Sequence, residues 1–259
     1  MAEQRIITLS SDFGLQDVYV GVMKGAIARV NPTLTVIDLT HDIPPQNLMA
    51  ARFCLLNAHP YFPPGTVHVA VVDPGVGSKR RAIAIETADS YLVGPDNGIF
   101  SGVLNNSPPQ AAIELDNPDY WRSQSASTTF HGRDIFAPIG AYLASGTPMQ
   151  RLGSTIDPAT LIRLDLPQPQ PTPAGLKGCI QYLDRFGNAI ANIPAIAGKS
   201  WTVAISDRLI PSGTTYSDVC VGEPIALIGS HGWVEIAVNG GSAQSELQLD
   251  WRSPLEVRF

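Results

Sequence analysis

The chain is short of several things, and each shortage narrows its function. It has three cysteines in 259 residues, Cys54, Cys179 and Cys220. They lie far apart and form no CxxC pair, which argues against a zinc ribbon or a dithiol redox motif. A sparse, odd count suits a reduced, cytoplasmic setting better than a disulfide scaffold. No apolar run approaches the roughly 18 residues of a membrane span, so no membrane contact is expected. The start, MAEQRIITLSSDFG, shows no basic-then-apolar signal peptide. Charged residues make up 15%, against about a quarter in ordinary domains. The net charge of -6 argues against nucleic-acid binding, which needs a basic face. It leaves room for a cationic ligand. There is no internal repeat.

What is present is apolar material, at 44%, with 22 prolines and 23 glycines for turns. Pro167, Pro169, Pro171 and Pro173 favour extended, semi-rigid backbone. They divide the chain into an N-terminal domain over residues 1–166, a proline-rich linker over 167–174 and a C-terminal domain over 175–259. The first domain alternates strand and helix signals. Arg5–Ser10 is a β-rich run. Asp17–Val30 carries Tyr19, Val22, Met23, Ala26, Ile27 and Val30 at helical spacing, and Asn31-Pro32 stops it. Leu34–Leu39 is a second strand. A helix with Leu48, Ala51, Leu55 and Ala58 on one face follows and ends at Pro60. Val67–Val72 has the continuous apolar character of a buried strand, and Ala82–Ile85 and Tyr91–Val93 are further strands. This alternation predicts an α/β domain with a mainly parallel sheet covered on both faces. The second domain has alternating runs around Leu176–Tyr182, Trp201–Ile205 and Val234–Val238. Gly and Asn punctuate them, and no long helical pattern appears. It reads as a small antiparallel β domain.

Ligands in open α/β sheets bind at the carboxyl ends of strands. Four loops with acids follow strand ends here: Ser10–Gly14 with Asp12, Asp38–Asp42, Asp73–Gly77, and Gly94–Gly98 with Asp96. Each alone is an ordinary cap or turn; four on one edge suggest an acidic rim. The segment Asp73-Pro-Gly-Val-Gly-Ser-Lys-Arg80 says more. Gly75 and Gly77 let backbone approach a ligand. The Arg80 guanidinium can return to the Asp73 carboxylate. The phosphate-binding GxxxxGK[ST] spacing is absent. His131 stands just before a helical pattern (Ile135, Phe136, Ile139, Leu143), amid hydroxyls and beside a glycine, a reasonable acid/base position. The five histidines show no metal-binding spacing, so no metal is expected, and no GxSxG elbow marks a serine hydrolase. In the second domain Asp184 and Asn188 flank a turn. Glu235 interrupts an apolar run, where a half-buried acid needs a partner.

Six segments, in order and over nearly the whole chain, resemble one family. They are SSDFGLQDVYVGVMKG from Ser10, VVDPGVGSKRRAIAI from Val71, VGPDNGIF from Val93, FHGRDIFAP from Phe130, DRFGNAIANI from Asp184 and GSHGWVEIAVNGG from Gly229. The family is the S-adenosylmethionine (SAM) hydroxide adenosyltransferases, adenosyl-forming SAM hydrolases related to the SAM-dependent fluorinase and chlorinase. The resemblance implies attack of hydroxide on the ribose 5′ carbon of SAM, giving adenosine and L-methionine, with SAM as substrate and no cofactor. It implies a catalytic Asp-Arg-His set at Asp73, Arg80 and His131. Asp12 would grip the ribose hydroxyls. Asp184, Asn188, Ser230 and Glu235 would surround the methionine and adenosine moieties. Val238 and Asn239 would read adenine through their backbone. It further implies a homotrimer, with each site between one chain's N-domain and its neighbour's C-domain.

The residues fit this chemistry. The sulfonium is a permanent cation, so acids are expected around it, and the leaving thioether needs no proton. Water must be deprotonated or polarised, and a base beside a fixed positive group does this. Either Asp73 or His131 can take the proton. Three alternatives remain. In the halogenating relatives a tyrosine stands at the position of Asp73 and an extra loop enlarges the N-domain. Here Asp73 is present and no such insert is evident. A SAM- or adenosine-binding protein without turnover would not need the polar trio. A methyltransferase would normally show a GxGxG-like loop after the first strand, where this chain has Ser-Asp-Phe-Gly.

Overall fold

The computed structural model describes residues 6–196 and 201–259. Arg5, the first residue of the expected first strand, lies outside them. The chain divides into two compact units, one ending at Leu164 and one starting at Asp165.

The first unit holds seven strands: β1 (Ile7–Ser11), β2 (Val36–Thr40), β3 (Thr66–Val71), β4 (Ala82–Glu86), β5 (Ser90–Pro95), β6 (Ala111–Glu114) and β7 (Ser154–Ile156). Its helices are α1 (Tyr19–Val30), α2 (Leu48–Ala58), α3 (Ser101–Asn106) and α4 (Ala137–Ala144). The sheet order is β2-β1-β3-β5-β4-β6-β7. The pairs β1–β2, β1–β3 and β3–β5 are parallel. The pairs β5–β4, β4–β6 and β6–β7 are antiparallel. The sheet is therefore mixed, which corrects the expectation of a mainly parallel one. The reason is chain length. Only Thr87, Ala88 and Asp89 join β4 to β5, whereas a parallel crossover needs about a dozen residues or more.

Alternation along the central strands sorts their side chains onto two faces. Ile7, Leu9, Val67, Val69 and Val71 share one core with Met23 and Ile27 of α1 and Ile139 and Leu143 of α4. Thr8 and His68 point the other way, and Thr8 Oγ1 and His68 Nδ1 are 2.8 Å apart. His68 packs there against His59 and Phe62, with ring centroids 5.1 and 5.6 Å away. These two residues lie just past α2, which pairs with α3. Asn47 starts α2 by accepting the Ala50 N–H on its side chain.

The second unit is an eight-stranded sheet built from β8 (Gln170–Thr172), β9 (Gly175–Leu183), β10 (Ala189–Pro194), β11 (Thr202–Ile205), β12 (Arg208–Pro211), β13 (Pro224–Ile228), β14 (Trp233–Val238) and β15 (Pro254–Arg258). The order is β12-β11-β15-β9-β10-β14-β13, with β8 added onto β9. Each of these strand pairings is antiparallel. Part of the proline-rich segment is thus β8 itself, paired with β9 from Gln170 to Thr172. Apolar positions along these strands, among them Ile180, Ala191, Val203, Ile236 and Val257, form one core. Among the described residues no helix is long and apolar enough to cross a membrane.

The buried His68 has a consequence for stability. Burial, helped by the neighbouring His59, pushes its pKa down to about 3, against about 6.5 in an unfolded chain. The unfolded chain therefore takes up the proton first. The stabilisation is complete above the unfolded value and is lost as pH falls toward the folded one. Lowering the pH from about 7 to about 5 is expected to cost about 2 kcal/mol through this group. Urea unfolding at both pH values measures it. The variant His68→Gln should lose most of that difference, and an unchanged pH dependence would refute the assignment.

Candidate active site

The loops after β1 and β3 open into a cavity of about 410 Å³ lined by Asp12, Phe13, Tyr19, Gln46, Asp73 and His131, among others. That is within the roughly 300–1,000 Å³ of small-molecule pockets. Asp12 follows directly on β1, and its Oδ2 accepts the Gln46 N–H at 2.8 Å. Gln46 sits at φ 63°, a left-handed conformation that a non-glycine residue adopts at a cost of about 1 kcal/mol or more. The Asp12 bond is one of the contacts that holds it. Phe13, Tyr19 and Phe130 form an aromatic cluster on the wall, with ring centroids 5.2 to 5.8 Å apart.

Asp73, Arg80 and His131 meet at this cavity. Arg80 Nε donates to Asp73 Oδ1 and Oδ2 at 2.9 and 3.0 Å, and its Nη2 donates to Oδ2 at 2.5 Å. The same Nη2 lies 2.7 Å from His131 Nδ1. Both members of the ion pair are nearly enclosed, with side chains 9% and 5% exposed. The guanidinium also lies over the Phe136 ring, 5.3 Å from its centroid. The loop between the two residues folds tightly. Val76 N–H bonds to the Asp73 carbonyl and Ser78 N–H to the Gly75 carbonyl. Gly77 adopts φ 76°, and a Cβ there would lie 2.2 Å from the Thr128 carbonyl oxygen, so only glycine fits.

The Arg80 contact decides the tautomer of His131. A guanidinium only donates, so Nδ1 must accept and the neutral ring carries its proton on Nε2. Burial and then the Arg80 charge lower the His131 pKa, while Asp73 and Asp134 act the other way. The lowering wins, so the ring is neutral near pH 7. It presents an N–H donor, and its lone pair is already engaged. His131 stands at the mouth of a π-helical turn, Gly132–Phe136, which runs straight into α4. Such turns are rare and recur at functional sites.

Residues 7–153 match the model of the SAM hydroxide adenosyltransferase N-terminal domain, and residues 178–256 match that of its C-terminal domain. The chain belongs to the SAM hydroxide adenosyltransferase family. It is 41% identical to a Thermus thermophilus protein named (R)-S-adenosyl-L-methionine hydrolase, over 98% of this chain and 99% of that protein. A fluorinase from Actinopolyspora mzabensis is more distant, at 26% over 92% of this chain and 91% of its own. The crystal structure of a conserved Thermotoga maritima protein superposes with a TM-score of 0.91 at 34% identity, covering 98% of this chain and all of that one.

Not every acid on the segments shared with this family reaches the cavity. Asp12 and Asp73 line it. Asp38 instead pairs with Lys24 at 2.6 Å and lies 3.1 Å from His41. Asp96 is buried against Arg81 at 2.5 Å. Neither of these two is among the residues lining the cavity, so the four-acid rim is corrected to two acids. The Gly94–Gly98 loop serves the site from behind, because Asn97 Nδ2 donates to the Val72 carbonyl next to Asp73 at 2.8 Å.

The remaining residues singled out from the sequence lie in the second unit. Asp184 Oδ1 accepts the N–H groups of Phe186 and Asn188, and its Oδ2 accepts from Asn188 Nδ2 at 3.0 Å. Buried Glu235 accepts from Tyr216 Oη at 2.8 Å and contacts His231 Nε2 at 3.1 Å. Burial and the negative Glu235 and Asp184 push the Tyr216 pKa up to about 12, so Asp184 belongs to the same neighbourhood. Ser230 is exposed in the turn between β13 and β14. Val238 is buried, and Asn239 Nδ2 donates to the Val219 carbonyl. The N–H and carbonyl of Asn239 already bond to Glu223 and Gly222. Sequence reasoning missed Phe13, Tyr19, Gln46 and Phe130 as cavity residues, and Tyr216 and His231 beside Glu235. All but Gln46 and Tyr216 lie within the family segments, where their types alone read as core or turn. Among the described residues no group of three His, Cys, Asp or Glu side chains is placed to hold a metal ion.

The His131 assignment is testable by NMR titration. Replacing Arg80→Met removes the positive neighbour of His131 and leaves Asp73 without its ion-pair partner. The His131 pKa should rise toward or above the ordinary imidazole value of about 6.5. A pKa that stays put or falls would show that Arg80 does not set it.

Proposed function

We propose that this protein hydrolyses SAM at the ribose 5′ carbon, releasing adenosine and L-methionine. The observation that carries this reading is the Arg80 fork, which joins Asp73 and neutral His131 on the wall of the cavity. In the reaction a water oxygen bonds to C5′, the C5′–S bond breaks, and the sulfonium leaves as a neutral thioether. One proton is left over from the water. With the His131 lone pair engaged by Arg80, Asp73 is the acceptor for that proton. The Nε2–H of His131 then orients the water oxygen. Arg80 keeps both groups in register and lends positive charge where hydroxide character develops.

Complementarity supports the same substrate. Asp12 retains Oδ1 for the ribose hydroxyls, since Gln46 occupies Oδ2. The acids Asp12 and Asp73 and the faces of Phe13, Tyr19 and Phe130 favour a cationic centre. Asp184, Asn188, Ser230, Glu235, Val238 and Asn239 are assigned to the methionine and adenosine moieties on the strength of the family resemblance. On the same ground the working unit is a homotrimer in which each site takes residues from two chains, and no step uses a cofactor or a metal; the sparse, odd cysteine count supports a cytoplasmic setting.

The experiment is incubation with SAM in heavy-oxygen water, with chromatography and mass spectrometry of the products. Adenosine carrying the label and methionine without it are expected. Asp73→Asn should lower kcat by about 10²- to 10⁴-fold. His131→Gln keeps a donor and should cost less. The opposite ranking would move the base role to His131. Formation of 5′-halo-5′-deoxyadenosine on adding fluoride or chloride would replace hydrolysis with halogenation as the activity.

A further inference from the structure

We propose that Asp134, which does not line the cavity, is the positioning residue of the water-handling trio: its buried carboxylate fixes the segment before His131 so that His131 and the Asp73 loop both seat on Arg80. This rests on the reading of Asp73, Arg80 and His131 given above.

The Asp134 side chain is fully buried. Its Oδ1 accepts from Arg122 Nε at 2.5 Å and Arg133 Nε at 2.6 Å. Its Oδ2 accepts from Arg133 Nη2 and from the Ser127 backbone N–H, both at 2.8 Å. Its own carbonyl accepts the Arg122 N–H at 2.9 Å. The segment from Arg122 to Thr129 contains no helix or strand, so bonds of this kind hold it in place. The consequences run two ways. Toward the chain's C-terminal side, Asp134 sits in the π turn that begins just after His131, and its N–H bonds to the Phe130 carbonyl. Toward the other side, Ser127 is followed by Thr128, whose carbonyl is the surface that only Gly77 can approach. Gly77 lies in the loop that carries Asp73 and Arg80. The contacts form a closed ring from Asp134 through Ser127, Thr128, Gly77, Asp73 and Arg80 to His131 and back.

A carboxylate kept only for stability would not need to tie both arms. The electrostatics agree with the geometry. Burial would raise the Asp134 pKa, but the bonds from Arg133, Arg122 and Ser127 outweigh it and hold the group well below the usual carboxylate range. It is therefore an anion throughout the working pH range. The charged groups acting on His131 are Arg80, Asp73 and Asp134.

The test measures adenosine release and the His131 NMR titration in the wild type, Asp134→Asn, Arg122→Gln and Asp73→Asn. Asp134→Asn and Arg122→Gln should lower kcat by about 10- to 100-fold with KM for SAM within about threefold. Asp134→Asn should also move the His131 pKa, and with it the acid limb of kcat/KM, to lower pH, because a negative neighbour is lost. Folded variants with wild-type kcat and an unmoved His131 titration overturn the proposal. If Asp134→Asn does not fold, Arg122→Gln decides alone, since it leaves the Arg133 and Ser127 bonds in place. A wild type that is active, an Asp73→Asn variant that is inactive and an Asp134→Asn variant that is unchanged would remove only the clamp. An Asp73→Asn variant with full activity would instead remove the underlying reading of the trio.

Discussion

One guanidinium holds this site together. Arg80 gives two of its nitrogens to Asp73 and shares one of them with His131. The planar fork fixes distance and angle to both partners at once, which a lysine ammonium does not do. Burying a charge is costly unless its bonds are met. Here Asp73 meets them on one edge, and the Phe136 ring lies beneath the guanidinium. The tautomer of His131 and the assignment of proton acceptor follow from that contact, and its neutral state follows from burial together with the Arg80 charge.

The surrounding structure reads as support for it. Gly77 lets the Asp73 loop press against the Thr128 carbonyl. Asn97 ties the strand end before Asp73. Strain is present at the rim, where Gln46 is held left-handed beside Asp12. Strained backbone at a binding site is tolerated where the neighbouring contacts over-determine it, and the Asp12–Gln46 bond is such a contact.

Much of this was legible in the chain, for identifiable reasons. Helix and strand positions came from apolar periodicity, and the expected helix ending at Val30 and the strand run from Val67 appear as α1 and β3. Asp12 and Asp73 were visible because a strand end followed by Asp is a ligand position. Asp96 obeys the same local grammar and Asp38 lies within β2 itself, and both are paired away from the cavity. Their partners, Lys24 in α1 and Arg81 just before β4, lie elsewhere in the chain, and no local pattern reveals such a contact. Glu235 announced its need for a partner, but not that Tyr216 and His231 would supply it. Asp134 carries no local signal at all, because its partners Arg122 and Ser127 lie 12 and 7 residues away. The strand directions were misread, although the short link Thr87–Asp89 already held the answer.

The direction of β4 bears on the chemistry. Because β3 and β4 both flank β5 and run in opposite senses, the start of β4 lies level with the end of β3: Ala82 faces Pro95 of β5, two residues past the Val93 that pairs with Val69. The link from Asp73 to Arg80 therefore only has to step across one strand, about 10 Å at the usual inter-strand spacing. Were β4 parallel to its neighbours, its start would lie at the opposite edge of the sheet, a strand length of about 17 Å away. Arg80 would then face the wrong end of the sheet. The polarity of a single strand thus decides whether Asp73 and Arg80, seven residues apart in sequence, meet at one end of the sheet, and a circular rearrangement or loop graft that reversed it would separate them without altering either residue.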